Sequence, residues 1–204
     1  MHRLKVPISD ADIRALHVGD TVYLNGIIVT GRDAAHKYMI EHFIRNAPTD
    51  PEDIELHEKL KKLLDGGVIY HCGPVVKKND DGSWSFVAAG PTTSIREEVY
   101  EADVIKHFNL KGVIGKGGMA GRTLQACQEQ PAVYFHAIGG AATLIAQSVK
   151  EVVDVYKLDF GVPEAMWVIR VADFPVVVTM DSHGQSIHDK VLAESEGRFK
   201  QLVG

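Results

Sequence analysis

A chain of 204 residues with 45% hydrophobic content is long enough to bury one full core, and its net charge of -5 leaves no general basic surface for a nucleic-acid backbone or an anionic membrane. No apolar run approaches the ~20 residues that cross a bilayer, and residues 1–7 hold no apolar signal core, so a cytoplasmic protein is expected. Its two cysteines, Cys72 and Cys127, are too few for a disulfide framework, a Cys-x-x-Cys site or three-thiolate ligation of a cluster, so any metal chemistry must borrow its ligands.

Residues 3–8 alternate like a strand, and Ser9 or Asp10 can cap a short helix through Leu16. Residues 20–30 read as two short strands about Asn25-Gly26, since both residues tolerate positive φ and form a strong hairpin signal. From Asp33, apolar residues recur at helical spacing through Ile44, which puts Arg32 and Asp33 at a helix amino terminus, a place that attracts anions. Asp50-Pro51 starts a charged amphipathic helix that stops at Asp65-Gly66-Gly67 and reads as a surface elaboration. Residues 68–70, 75–77 and 83–88 are strand-like, with a turn at Asn79-Asp80-Asp81-Gly82. Residues 95–108 then have helical periodicity, 112–114 form a short apolar strand, and Gly115-Lys116-Gly117-Gly118 opens another helix ending near Gln130. Residues 132–136 read as a strand, 139–149 as a small-residue helix, 167–180 as two strands broken at Asp173-Phe174-Pro175, and the tail from Gln185 as helix. With no repeat or linker, the expectation is one layered α/β domain over residues 1–204.

Three places carry chemistry. Gly90-Pro91-Thr92-Thr93-Ser94-Ile95-Arg96 puts three hydroxyls and an arginine where a loop enters a helix, a set able to hold a carboxylate or simply to cap the helix. Lys116, between glycines, can present its ammonium to an anion or move a proton, against the plainer reading of a turn lysine in water. Gly115, Gly117 and Ala120 also satisfy a dinucleotide G-x-G-x-x-A spacing, so a phosphate- or nucleotide-binding module is the alternative from another class. That spacing lacks its acidic partner, because the next strand ends at His136, and Lys116 lacks the spacing of a P-loop lysine. His36, one turn inside its helix, reads as a packed residue, and His71-Cys72 without further ligands makes no zinc site.

Arg32-Asp-Ala-Ala-His36, His71-Cys-Gly-Pro74, Gly90-Pro-Thr-Thr-Ser-Ile-Arg96, Gly115-Lys-Gly-Gly-Met119 and Leu158-Asp-Phe-Gly-Val-Pro-Glu-Ala-Met-Trp167 resemble, in that order, the β subunit of class I iron–sulfur fumarases and the similar L-tartrate dehydratase β subunit. The resemblance implies a swivelling β/β/α three-layer domain that closes over a [4Fe–4S] cluster held by a partner α subunit, with no metal ligand from this chain. It implies reversible addition of water to a dicarboxylate double bond, an open iron acting as Lewis acid while a base serves the adjacent carbon. Carried over, the pattern makes Thr92 and Lys116 catalytic and Arg32, Thr93, Arg96 and Gly117 substrate-binding. Fumarate and malate are the favoured substrates, with tartrate the alternative, and a hetero-oligomer is expected, or a homodimer when the chain is isolated.

Overall fold

The computed structural model describes residues 1–203. Strand β1 (His2–Lys5) leads to a short helix α1 (Asp10–Arg14), whose cap Ser9 accepts the Asp12 amide. After β2 (Thr21–Thr30) comes α2 (Asp33–Met39), which widens into a π turn over Ile40–Ile44. Asp50 caps α3 (Pro51–Leu64), with Pro51 where a missing N–H is harmless. β3 (Val68–Tyr70) follows, and β4 (Val75–Lys78) pairs only with β5 (Trp84–Ala88) in a separate hairpin. A 3-10 turn (Ser94–Glu97) enters α4 (Glu98–Phe108), which Asn109 ends in a left-handed conformation. The remainder is β6 (Gly112–Gly115), α5 (Gly121–Glu129), β7 (Val133–His136), α6 (Ala142–Ser148), β8 (Val149–Tyr156), β9 (Met166–Met180) and α7 (Ile187–Val203).

The expected α/β class holds as a mixed α/β fold, but its main sheet closes on itself. β2, β3, β6 and β7 are parallel neighbours, and β9 runs antiparallel to both β7 and β2, which completes a five-strand ring. β1 and β8 extend it from β2 and β9. Two breaks expected from sequence are continuous strands. Across the β2–β9 pair, Leu24 faces Phe174 and Gly26 faces Val171, so Ala172 and Asp173 together oppose Asn25 in a β-bulge. Asn25-Gly26 is therefore no hairpin: the Val6 carbonyl lies 2.7 Å from where a Gly26 Cβ would stand, and the φ of 119° there suits glycine alone. Asp173, at φ 51°, donates its amide to the Asn25 side chain, and the bend lets each long strand serve two neighbours in turn. Residues 150–156, whose charges hide any alternation, are an edge strand that periodicity does not reveal.

The ring strands β3, β6 and β7 are buried almost throughout, which is why they read as short unbroken apolar runs. Tyr70, Ile114, Phe135, Trp167 and Phe174 belong to one core, while Ile69, Val113, Tyr134 and Val168 belong to another under α2, α3, α4 and α5. Leu56, Leu60 and Leu64 carry α3 into this second core, so it is a structural wall and not a surface elaboration. Among the described residues no helix is long and apolar enough to cross a membrane.

Candidate active site

Because β2, β3, β6 and β7 are parallel neighbours, the segments after Thr30, Tyr70, Gly115 and His136 all leave the sheet at one edge, the edge where open parallel sheets bind ligands. Residues 91–94 cross this edge as a short extended insert. Cys72 pairs with Pro91 and Thr93 with Lys116. The Thr92 amide donates to the His71 carbonyl at 2.8 Å, the Lys116 amide to the Thr92 carbonyl at 3.1 Å, and the Ser94 amide to the Lys116 carbonyl at 3.0 Å. Backbone pairing thus welds the hydroxyl segment between the segments after β3 and β6.

Arg32 caps α2 in extended conformation, and its guanidinium lies 3.2 Å from Glu164, whose other oxygen accepts the Ala34 amide at 3.2 Å. It rests over Gly73, where a Cβ would stand 2.4 Å from Nη1, so only glycine leaves it room. Arg96 projects from the 3-10 turn, more than half exposed, and pairs with Asp33. Lys116 is half-buried, packs its stem by Gly139, and has no carboxylate in ion-pair range among the described residues. Gly117 and Gly118 turn at φ 81° and 79°, the left-handed region that favours glycine. Thr92 is half-buried with its Oγ1 unpartnered, while Thr93 is exposed. The chain therefore brings Thr92, Thr93, Lys116 and Gly117 directly together, and Asp33 ties Arg96 to the helix mouth of Arg32. A cleft lined by Gly117, Ile187, His188, Val191, Leu192 and Ser195 opens beside this edge.

The helix end that follows the Gly115–Gly118 loop is already occupied by a carboxylate of the chain itself. Helix α5 starts at Gly121, and Glu98 already takes its free donors: the amides of Ala120, Arg122 and Thr123 at 2.8, 3.1 and 3.1 Å, and the Thr123 hydroxyl at 2.7 Å. An anion at this helix end would have to displace a carboxylate from four hydrogen bonds.

Two acids on the buried face of α4 and its entry turn escape the sequence reading. Glu97 is 1% exposed, and burial, with Asp33 beside it, pushes its carboxyl from the ordinary 4.5 up to about 8. Asp33 Oδ1 and Glu97 Oε2 are both buried without a donor, and one proton held on Glu97 satisfies both. Glu101 is fully buried between His71, 2.9 Å away, and His36, 3.1 Å away. The signal for both acids lies in spacing: residues 97, 101, 105 and 108 share one helix face, and Ile105 and Phe108 are core residues. A charge on such a face needs a buried partner.

The cysteines do not fit a cluster. Both are fully buried, Cys72 in the first core, its thiol pushed up to about 12 by burial, and Cys127 in the second, its thiol also pushed up by burial. Neither is an accessible thiolate.

Comparison with known proteins places the chain in a family. The family profile described as fumarase C-terminus matches residues 2–191. A Geobacillus stearothermophilus protein provisionally named a class I fumarate hydratase is 50% identical over 199 residues, covering 98% of this chain and 36% of that protein. This chain thus spans about a third of that relative's length. A Methanocaldococcus jannaschii protein provisionally named L(+)-tartrate dehydratase subunit beta is 43% identical, covering 97% of this chain and 96% of its own length. The L(+)-tartrate dehydratase subunit beta of Escherichia coli is 38% identical, over 97% of this chain and 90% of that subunit. On a profile match over residues 2–191 and relatives aligned along nearly the whole chain, this chain belongs to the fumarase C-terminus family.

Proposed function

We propose that this chain is the β-type half of an iron–sulfur hydro-lyase that adds water reversibly to fumarate to give malate, and that it works only with a cluster-bearing α subunit. The carrying observation is the convergence, at one sheet edge, of two arginines, a lysine without an acid and a half-buried threonine hydroxyl without a partner. Arg32 and Arg96 each hold a protein carboxylate, so their geometry suits the two carboxylates of a dicarboxylate. Thr92 is the proton-transfer group, and Lys116 offsets the cost of its alkoxide or takes the proton itself. Thr93 and the Gly117 amide hydrogen-bond the substrate. The [4Fe–4S] cluster belongs to the partner, since Cys72 and Cys127 cannot ligate it. In this reading residues 1–204 are one swivelling three-layer domain of a cytoplasmic hetero-oligomer, which closes the cation-bearing edge over the partner's cluster.

Tartrate is the second reading, favoured by one observation: the chain matches separate tartrate dehydratase β subunits along nearly their full length, but only part of the longer fumarase relative. Anaerobic reconstitution with the cluster-bearing chain decides both. Turnover of malate supports the first reading and of tartrate the second, and no turnover of malate, fumarate or tartrate sinks the hydro-lyase reading. Within an active pair, Arg96→Ala and Lys116→Ala should each lower kcat/KM by about a hundredfold or more while the chain stays folded.

A further inference from the structure

Under the site runs a chain of buried polar groups that the proposed chemistry does not use. Each contact in it has a direction set by what each atom can give. The Tyr134 hydroxyl donates to Ser94 Oγ at 2.8 Å. Glu101, ionised, can only accept, so His71 carries a proton on Nε2 and gives it to Glu101 Oε2 at 2.9 Å. A neutral His71 ring then accepts at Nδ1 from the Ser94 hydroxyl 2.8 Å away. From the other side, His36 Nδ1 lies 2.9 Å from the Arg32 carbonyl, which can only accept, and His36 Nε2 lies 3.1 Å from the same Glu101 oxygen. His36 faces an acceptor at each nitrogen, so it is doubly protonated. The Nε2 contact is off the hydrogen-bond line and acts mainly as an ion pair. The result is one anion, one cation and one neutral imidazole, a neutral set with every ring nitrogen assigned, in a region 0% exposed.

The termini of this chain matter. It ends on the Arg32 carbonyl at one side and the Tyr134 hydroxyl at the other, and passes through Ser94 between them. Each proposed substrate contact adjoins it: Arg32 is a member, Thr92, Thr93 and Arg96 lie within two residues of Ser94, and Lys116, next to Gly117, accepts the Ser94 amide at its carbonyl. Gly115 must lack a side chain for the chain to exist, since its Cβ would stand 1.8 Å from Ser94 Oγ and 2.8 Å from Tyr134 Oη.

We propose that Glu101 is a positioning residue of the active site, the buried carboxylate on which this one-directional chain converges and through which the segments bearing Arg32, Thr92, Arg96 and Lys116 are held in mutual register. The relation to catalysis rests on the hydro-lyase reading; the proton assignment does not. Burial alone would lower His36 and raise Glu101, but their mutual charge outweighs it: His36 is raised and Glu101 is held at about 2. Burial lowers His71 and keeps it neutral.

Two measurements test this. Ring 15N spectra of the full chain at pH 7 should show His36 protonated at both nitrogens and His71 neutral with its proton on Nε2. A neutral His36 or a charged His71 overturns the proposal, as does one tightly held zinc or iron per chain that Glu101→Gln releases, which would make the trio a metal site. In the reconstituted pair, His36→Gln loosens the Arg32 side and should raise KM about tenfold with kcat within twofold. Ser94→Ala loosens the Thr92 side and should lower kcat about tenfold with KM within threefold. Loss of kcat alone in both variants, in proportion to unfolded protein, is what a merely structural role gives and overturns the proposal. A wild-type pair without turnover refutes the hydro-lyase reading and leaves the ring spectra to decide the proton assignment.

Discussion

Glu97→Gln should make this protein more stable at alkaline pH and change it little at pH 4. Glu97 is raised from 4.5 to about 8, first by burial and then by the Asp33 carboxylate that hydrogen-bonds it. A raised acid contributes its full stability below the unfolded pKa, near 4.5, and loses it as pH rises through the folded value, near 8. A displacement of this size bounds the loss at about 5 kcal/mol, at roughly 1.4 kcal/mol per pH unit. The side chain lies at the rim of an exposed ion pair, Arg96 with Asp33, so solvent screening brings the working figure to about 2 kcal/mol. Glutamine keeps the donor that protonated Glu97 offers Asp33 and has no charge to bury. The melting temperature of Glu97→Gln relative to wild type should therefore rise by about 4–8 °C between pH 4 and pH 9. Scanning calorimetry of both chains across that range measures it. A difference independent of pH would show that Glu97 is ionised at neutrality and that the Asp33–Glu97 pair shares no proton.

Three further outcomes follow from burial. Gly115→Ala drives a methyl into Ser94 and Tyr134 and should cost about 3 kcal/mol or more, seen as a melting temperature lower by about 6–12 °C; a change within 2 °C would remove the crowding argument. Leu60→Ala empties a fully buried position under α3 and should cost about 2–5 kcal/mol by chemical denaturation, whereas a mere surface elaboration would lose under 0.5 kcal/mol. Cys72 and Cys127 should resist thiol reagents in the folded chain and react on unfolding; rapid labelling of either in native protein would contradict their burial.

The positions of the candidate cations and hydroxyls were legible because helix mouths and glycine turns have local signatures, and Arg32, Thr92, Arg96 and Lys116 all stand near such places. Asp33 and Glu164 as their partners were not, since Glu164 reaches Arg32 across 132 positions of sequence. Glu98 shows what local reading leaves out: the glycine run before α5 resembles an anion loop, and only the fold reveals that a carboxylate from the preceding helix holds the donors at the start of α5.

Periodicity, caps and turn residues determined most helices and strands, the absence of cluster-ligating cysteines and the order of the motifs, because each is a property of neighbours along the chain. Tertiary structure decided what depends on who lies opposite. Asn25-Gly26 and Asp173-Phe174-Pro175 look like two chain reversals in isolation, yet they face each other across one pair of strands, where a shared bulge is cheaper than two turns because it keeps the ladder and closes the ring. Likewise His36, His71 and Glu101 are separate, unremarkable residues in sequence. Buried together, they must settle three ring protons into one cation, one neutral ring and one anion, and that necessity comes from burial alone.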